Sequence, residues 1–298
     1  MKAIDWQTST ARSADGTAIS VLSTGAGPGL VVVPGNNGRA HQYEGLARAL
    51  AGSYPVHVLD RRGRGLSGPQ GPHYSVEAEA ADVSAVLTHT GSDLVFGHSY
   101  GGLIGLHLAL WRSIAGLVVY EPGVSIGGSI DGTWFPEFRR LLATGRHGAA
   151  MAKFMKGSRL APIDAPAFVF RALAFLLLRG ANGAEVRAMM RNTPAELAEV
   201  FTLDSDGRRY AAIRTPTLLL GGSRSPDFLT GVLPRLAELI PAARYEIVPG
   251  LNHNAPDLNA PATIATKITT FVNSRQQPPT GANSRQQAKF DDFPGLSA

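Results

Sequence analysis

The chain has 298 residues, which is enough for one large α/β domain with an inserted subdomain. Hydrophobic residues make up 44% and charged residues 17%, which indicates a globular protein, and the net charge of +5 is scattered along the chain, which disfavours nucleic-acid binding. The chain has no cysteine, which excludes disulfides, thiol nucleophiles and cysteine metal sites.

Apolar segments and helical patterns alternate along the first part of the chain. Residues 17–23 alternate apolar and polar side chains as an antiparallel edge strand does. Four later segments are apolar on both faces, which is typical of buried parallel strands: 30–33, 56–59, 94–96 and 117–120. Helical patterns lie between them, at 41–50, after Ser75 as N-cap, and at 101–110. The alternation predicts a parallel sheet with right-handed crossovers.

The alternation stops after Pro122 and resumes near residue 210. Between them, residues 124–209 predict helices and no convincing strand, with a high content of aromatic and methionine side chains: Trp134, Phe135, Phe138, Met151, Phe154, Met155, Phe168, Phe170 and Phe175. We interpret 124–209 as a helical cap on a core formed by 1–123 and 210–273. Most of these side chains should pack inside the cap, and some should line a pocket beneath it.

The second half of the core is predicted to contain strands at 217–220 and 245–248 and helices at 228–239 and 260–272. The last segment, 274–298, is different. The sequence Asn-Ser-Arg-Gln-Gln occurs at 273–277 and again at 283–287, around a Pro- and Gly-containing stretch. Such a polar repeat has little apolar surface to bury, so we expect a disordered extension.

No membrane span is expected. The longest apolar run, around 172–178, is interrupted by Arg179 and is much shorter than the roughly 18 to 20 residues of a span. The N-terminal residues lack the apolar centre of a signal peptide. We therefore expect a cytoplasmic protein.

A single serine lies at the corner between a buried strand and a helix. Residues 97–101 match G-x-S-x-G, and the glycines at both ends let the two backbones approach each other closely. This turn would lift Ser99 Oγ clear of the sheet, beside the N-terminus of the helix. The pentapeptide alone is a weak signal, but its position between strand and helix makes Ser99 the candidate nucleophile.

A serine hydroxyl needs a base to become a nucleophile at neutral pH. Of the eight histidines, only His253 lies late in the chain in a Gly-containing loop directly after the last strand. His98 is next to Ser99, but its side chain should point away, and His41 follows the first loop, from which it could face the pocket. We predict that His253 is the general base.

These segments resemble the α/β-hydrolase superfamily. The resemblance covers about residues 15–273 and rests on three ordered motifs: D-x-R-G-x-G-x-S at 60–67, G-x-S-x-G at 97–101, and G-x-x-H at 250–253. It implies an α/β-hydrolase fold, with a mostly parallel central sheet, helices on both faces and an inserted cap, and it says almost nothing about the substrate. We expect Arg61, Arg62 and Arg64 to hold neighbouring loops rather than to bind an acidic substrate.

The chain departs from this superfamily at the oxyanion turn. The turn that is usually His-Gly is Pro34-Gly35 here. The following residue should still present its backbone N–H, so we assign the oxyanion hole to the amides of Asn36 and Tyr100. Asn37 would either add a side-chain donor or serve only in the turn.

A second departure concerns the acid. Most members carry it after the penultimate strand, where this chain has Ser225, and serine cannot stabilise an imidazolium by charge. Asp227 lies two residues later, and Glu121 closes the strand that follows the helix after Ser99. The second position is used by some members, among them lactonases that resemble the zearalenone-cleaving type. We predict Glu121 as the acid, with Asp227 as the alternative; a purely structural role for Glu121 would be a salt bridge to the cap.

The predicted activity is hydrolysis of a carboxylic ester or lactone of a fairly hydrophobic small molecule through an acyl-enzyme. No nucleotide-binding or zinc motif indicates a cofactor or metal. Alternatives on the same residues are carbon–carbon bond hydrolysis and cofactor-free perhydrolysis. An alternative of another class is a non-catalytic ligand-binding protein on a hydrolase fold. The sequence indicates neither a nucleic-acid nor a membrane partner, and it does not indicate the oligomeric state.

Overall fold

A single sheet runs through the protein. The computed structural model describes residues 4–160 and 165–276, apart from the side chains of 181, 182 and 276. Within these ranges the strands are Gln7–Arg12 (β1), Ala18–Ser23 (β2), Leu30–Val33 (β3), Val56–Leu59 (β4), Leu94–His98 (β5), Gly116–Tyr120 (β6), Thr217–Gly222 (β7) and Ala243–Val248 (β8). Their order is β1-β2-β4-β3-β5-β6-β7-β8. The pairs β1–β2 and β2–β4 are antiparallel and the other pairs are parallel, which confirms the predicted mostly parallel sheet.

The edge of the sheet differs from the prediction. The segment at 17–23 does form a strand, β2, but β1 covers its outer side. Of the residues in β1 only Ala11 is buried, so this strand lacks the apolar pattern by which the other strands were recognised.

Helices cover both faces of the sheet. In the described residues they are Glu44–Leu50 (α1), Val76–Thr90 (α2), Tyr100–Ala109 (α3), Phe135–Ala143 (α4), His147–Ser158 (α5), Ala167–Leu177 (α6), Gly180–Met190 (α7), Thr193–Thr202 (α8), Asp227–Thr230 (α9), Val232–Leu239 (α10) and Pro261–Gln276 (α11). Because successive strand side chains point to opposite faces, Val31 belongs to the apolar cluster that includes residues of α2, α3 and α10, whereas Val32 belongs to the cluster that includes residues of α1 and α11. As predicted, Ser75 caps α2, and its hydroxyl accepts a hydrogen bond of 3.1 Å from Ala78 N.

Some helix boundaries differ from the predictions. The helix predicted at 41–50 begins with the 3-10 turn Ala40–Tyr43, and the helix predicted at 228–239 is divided into α9 and α10. The last helix continues to Gln276, three residues into the predicted tail. Near its end Ser274 Oγ donates to Phe271 O, and Tyr54 Oη donates to Asn273 Oδ1. The rest of that predicted tail, 277–298, lies outside the described residues.

Helices α4 to α8 lie between β6 and β7 in the chain, and we call residues 124–209 the helical insert. In its described part, an isolated parallel bridge between Ile126 and Ser205 is the only β pairing. Trp134 and Phe138 belong to a separate apolar cluster inside the insert, as expected for its aromatic residues. Phe168 and Phe175 are different: they lie on the outward face of α6 and are 71% and 60% exposed.

None of the helices in 4–160 and 165–276 combines the length and the apolar content that crossing a bilayer requires.

The turn from β5 to α3 places Ser99 at the end of the sheet. Ser99 has φ +55° and ψ −120°, a conformation that non-glycine residues rarely adopt. The two backbones are in close contact at Gly97, where an added Cβ would meet Gly101 O and would lie 2.8 Å from Gly102 Cα. The predicted crowding at this corner is therefore present in the structure.

We expect Gly97→Ala to lower the free energy of unfolding by about 1–3 kcal/mol, because the methyl group has no space. Gly148→Ala is the matched control, since a Cβ there meets nothing within 4 Å and alanine favours the α5 helix. Urea denaturation of both variants measures the difference. Equal stabilities would contradict the close packing described for this corner.

Candidate active site

Ser99 lies beside the end of β6. Its N–H donates to Tyr120 O at 2.9 Å, and Gly123 N donates to Ser99 O at 2.9 Å. The strand register pairs His98 with Tyr120, so Ser99 and Glu121 follow adjacent strand ends at the same level. The structure thus brings the candidate nucleophile and one candidate acid to the same edge of the sheet.

Glu121 is fully buried, with 0% of its surface exposed. Its Oε1 accepts a hydrogen bond of 2.7 Å from Gly222 N, and its Oε2 accepts one of 2.7 Å from His253 Nδ1. Because a carboxylate only accepts, the His253 proton lies on Nδ1, which leaves Nε2 as the unprotonated nitrogen that a general base requires. Within the described residues Glu121 forms no ion pair with the helical insert, so the alternative structural role is not observed.

Asp227 does not contact this histidine in the described structure. It is an exposed residue at the start of α9, beyond Pro226. The strand end where most superfamily members carry their acid instead supplies the Gly222 N–H that binds Glu121.

The Pro34-Gly35 turn passes directly against Ser99. A Cβ on Gly35 would lie 3.1 Å from Ser99 Cβ and 3.7 Å from Ser99 Oγ, so a side chain here would occupy the space beside the nucleophile. Asn36 and Tyr100 line the same cavity as Ser99. Tyr100 is the first residue of α3, where a backbone N–H has no intrahelical acceptor. Both predicted oxyanion residues are therefore beside the serine.

Asn37 has a different environment. Its Oδ1 accepts a hydrogen bond of 3.0 Å from Thr193 Oγ1 of the helical insert, and its φ is +55°. Of the two roles left open for Asn37, the turn role agrees with this geometry.

A chain of hydrogen bonds connects the Gly35 turn with the loop of His253. Gly35 N donates to Tyr43 Oη at 3.2 Å, Tyr43 Oη lies 2.7 Å from His98 Nδ1, and His98 Nε2 lies 2.9 Å from His253 O. A carbonyl only accepts, so His98 carries its proton on Nε2 and accepts from Tyr43 at Nδ1. As predicted, His98 points away from the nucleophile, but it also holds the backbone of the candidate base, which the sequence did not indicate.

The arginines of the 60–67 loop bind protein carboxylates. Arg61 pairs with Glu79 and Glu196, Arg64 pairs with Glu196, and Arg62 pairs with Asp82 and Asp15. The expectation that these arginines hold neighbouring loops agrees with these contacts. His41, which could have faced the pocket, is exposed and does not line the cavity at Ser99.

A cavity of about 160 Å³ lies between Ser99 and the helical insert. Its insert side is largely apolar and includes Trp134, Phe154, Leu197, Val200 and Phe201. Of the aromatic side chains expected at a pocket floor, Trp134 and Phe154 are there. In the part of the chain that the structure describes, no group of three or more His, Asp or Glu side chains is arranged to hold a metal ion.

Sequence reasoning missed Tyr43, Glu79 and Glu196. Each lies in a helix or turn whose sequence does not differ from that of an ordinary helix. Glu196 contacts Arg64 and Asn36, which are 132 and 160 positions away in the chain. The one available signal for Glu196 was a charged residue one position before the apolar Leu197 in a mostly apolar segment.

Three features together are typical of an α/β hydrolase: the serine at the turn from strand to helix, the buried Glu121–His253 pair and the mostly parallel sheet. The model of the alpha/beta hydrolase family matches residues 30–267. The chain belongs to this family.

Several relatives share most of the chain. The provisionally named carbamate hydrolase RutD of Azorhizobium caulinodans is 31% identical over 229 residues, which are 74% of this chain and 82% of that protein. N-formylmaleamate deformylase of Pseudomonas putida is 32% identical over 247 residues, 78% of this chain and 84% of that protein. The crystal structure of an alpha/beta hydrolase from Sphaerobacter thermophilus has a TM-score of 0.73 at 30% identity and covers 88% of this chain and 99% of that chain. The relatives support a hydrolase.

Buried neutral histidines predict how stability depends on pH. Burial lowers the pKa of His98 well below its usual range, with a further contribution from His253, and burial also lowers the pKa of His57. Below about pH 6.5 the unfolded chain therefore binds protons that the folded protein does not. We expect the free energy of unfolding to be greatest above about pH 7 and to fall as the pH drops towards 5.

Urea denaturation between pH 8 and pH 5 measures this effect. His57→Gln and His98→Gln should each reduce the slope. The lowered pKa of Glu79, which results from Arg61 against the opposing effect of burial, acts only below about pH 4.5 and does not interfere. A stability that is constant from pH 7.5 to pH 5 would contradict neutral histidines in the folded protein.

Proposed function

We propose that this protein is a serine hydrolase that cleaves a carboxylic ester or lactone of a small hydrophobic molecule. The observation that carries the proposal is the 2.7 Å hydrogen bond from His253 Nδ1 to the buried carboxylate of Glu121, at the sheet edge where Ser99 also lies. A carboxylate in this position keeps the imidazole in one tautomer and stabilises the imidazolium that forms during acyl transfer. The proposed triad is Ser99, His253 and Glu121.

The proposed mechanism has two halves. His253 Nε2 takes the proton of Ser99 as Oγ attacks the carbonyl carbon, and the amides of Asn36 and Tyr100 donate to the oxyanion. The imidazolium then returns the proton to the leaving alkoxide, which departs as an alcohol and leaves an acyl-enzyme. In the second half, His253 takes a proton from water as the water attacks the acyl-enzyme, and the imidazolium returns this proton to Ser99 Oγ as the acid is released.

The cavity supports a hydrophobic substrate. Its volume of about 160 Å³ is close to the roughly 150 Å³ that accommodates benzene in an apolar protein cavity. The insert side chains around it favour an apolar group on the substrate, with the insert acting as a cap over Ser99. The position of Glu121 after β6 is the basis for including lactones among the substrates.

A second candidate is hydrolysis of a carbon–nitrogen bond in a small carbamate or amide. It is favoured by the names of the two relatives that are 31% and 32% identical, a carbamate hydrolase and a deformylase. The same serine, base and oxyanion donors serve such substrates. Comparing p-nitrophenyl esters and lactones with carbamates and N-formyl amides distinguishes the two candidates, and product analysis detects carbon–carbon cleavage or perhydrolysis.

Labelling with a fluorophosphonate should modify Ser99 alone, because only an activated serine reacts with this reagent at an appreciable rate. Peptide mass spectrometry identifies the site, and Ser99→Ala is the control, which should not be labelled. If the folded protein remained unlabelled and cleaved none of the substrates, the ligand-binding alternative would replace this proposal.

We expect Glu121→Gln to lower kcat by about 10³- to 10⁴-fold, because the imidazole loses the carboxylate that selects its tautomer and stabilises its charge. Asp227→Asn makes the same chemical change at the alternative position and should leave kcat within about 2-fold, since Asp227 is exposed. Steady-state hydrolysis of p-nitrophenyl butyrate by both variants provides the comparison. The opposite ranking would assign the acid to Asp227.

A further inference from the structure

Four charged side chains form a buried cluster beside the proposed oxyanion hole. Arg61, Arg64, Glu79 and Glu196 are each at most 3% exposed, and their charges balance. Arg61 Nε donates to Glu79 Oε2 at 2.7 Å, Arg61 Nη1 lies 3.4 Å from Glu196 Oε2, and Arg64 Nη2 donates to Glu196 Oε1. We call these four residues the buried ion cluster.

The buried ion cluster contacts both residues of the proposed oxyanion hole. Asn36 Nδ2 donates to Glu196 Oε2 at 2.6 Å, and Arg61 Nη1 donates to Gly35 O at 3.1 Å. The guanidinium of Arg61 lies over the ring of Tyr100, 4.5 Å from its centre. The buried ion cluster therefore contacts other atoms of both residues whose backbone amides form the proposed oxyanion hole.

The position of Glu196 in the chain differs from that of the other three. Arg61, Arg64 and Glu79 belong to the core, whereas Glu196 lies in the first turn of α8 and is part of the helical insert. Without Glu196, Asn36 would lose its side-chain partner, and Arg64 would lose the only carboxylate that it binds in the described structure. The insert thus supplies the charge that completes the cluster.

Such a cluster contributes little net stability, since the cost of removing charges from water offsets much of their attraction. The cluster has a larger effect on the positions of the surrounding groups. Removing one charge leaves its partners without a counter-charge, and they can then move. An oxyanion donor must lie within hydrogen-bond distance of the developing charge, so a small shift of the Gly35–Asn36 turn reduces catalysis.

We propose that Glu196 is a positioning residue that holds the oxyanion turn in its active geometry, so that the hole is complete only when α8 is seated on the core. This inference rests on the proposed serine hydrolase function. Glu196 does not touch the substrate; it acts through Asn36, and through Arg61 on Gly35 and Tyr100.

The chain provides a matched control in the same loop. Arg62 binds Asp82 through two hydrogen bonds of 2.7 Å, and both side chains are buried. Asp82 lies on α2, as Glu79 does, but in the described structure it forms no hydrogen bond or ion pair with Gly35, Asn36 or Tyr100. Asp82→Asn therefore removes a buried charge from Arg62, and Glu196→Gln removes one from Arg61 and Arg64; only Glu196→Gln affects the proposed oxyanion turn.

The test compares Glu196→Gln, Asp82→Asn and Asn36→Ala with the wild type. Asn36→Ala keeps the backbone N–H and removes the side-chain link to Glu196. We expect Glu196→Gln and Asn36→Ala each to lower kcat for p-nitrophenyl butyrate by about 10- to 100-fold, below the roughly 10²- to 10³-fold cost of losing a whole donor. KM should stay within about 2-fold, and the double variant should lose no more than the worse single variant.

A second measurement separates positioning from general damage to the fold. A trifluoromethyl ketone forms a tetrahedral adduct with the serine, and its oxyanion occupies the hole. Its inhibition constant should weaken in parallel with kcat for Glu196→Gln and Asn36→Ala. Asp82→Asn should keep the wild-type kcat and inhibition constant, even if its Tm falls as much as that of Glu196→Gln.

The outcomes distinguish this inference from the proposed function. If the wild type hydrolyses the ester and Glu196→Gln matches Asp82→Asn in kcat and inhibition, the positioning role is wrong while the proposed function stands. If the wild type cleaves neither esters nor lactones, the proposed function is wrong, and hydrogen exchange of the peptide 34–43 then decides the positioning role. Exchange that is faster in Glu196→Gln than in Asp82→Asn supports it, and equal exchange overturns it. Should Glu196→Gln not fold, Asn36→Ala gives the same comparison.

Discussion

A fully buried carboxylate at the end of β6 constrains the candidate site more than any other group. Glu121 has no exposed surface, and an unpaired charge in such a place costs several kcal/mol. Its two oxygens accept from Gly222 N and His253 Nδ1, so the ends of β7 and of the loop after β8 must lie where these donors are needed. Glu121 also has φ +47°, a conformation that costs about 1–3 kcal/mol and persists only when its surroundings fix it.

The Gly35 turn is fixed from both faces of the sheet. Its N–H donates to Tyr43, which belongs to the apolar cluster on the α1 and α11 side. Its carbonyl accepts from Arg61, which lies over Tyr100 on the side of α2 and α3. These two hydrogen bonds hold the peptide units before and after Gly35, and the second unit contains the Asn36 N–H. Gly35 therefore keeps its orientation without a side chain, which allows the close approach to Ser99 together with a defined direction for the next amide. The uncharged link through Tyr43 and His98 then connects this turn with His253 O.

Local patterns were sufficient for much of the fold and for the sharp turn at Ser99. Buried strands such as 30–33 and 56–59 are apolar on both faces, and the turn at Ser99 needs glycines at fixed positions, so both leave a signal in a few consecutive residues. The edge strand β1 left none, because an exposed polar strand is defined by its partner rather than by its own pattern. The exposure of Phe168 and Phe175 in the insert could not be predicted either, since hydrophobicity does not tell which face of a helix is covered.

The residues of the candidate site differ in the same way: some are indicated by the local sequence and others only by the tertiary structure. Glu121 was indicated by its place at a strand end and, through the resemblance to the superfamily, by the serine at 225 where most members carry the acid. Glu196 was not, because its partners Asn36 and Arg64 are 160 and 132 positions away and only the packing of α8 brings them together. Contacts between distant segments are set by the tertiary structure, which a single sequence does not display.

The helical insert is joined to the candidate site at both of its ends. The chain leaves the core directly after Glu121, and the last long helix before β7 brings Glu196 to Asn36. Side chains of the same insert line the cavity at Ser99, so a change in the position of the insert that alters the cavity also acts on the residues beside Ser99. The insert is therefore not an independent cover. Helix α8 carries Leu197 towards the cavity and Glu196 towards Asn36, so a movement of this helix would act on the cavity and on the Gly35–Asn36 turn together. A substitution in the apolar lining, in contrast, can change the shape of the cavity alone.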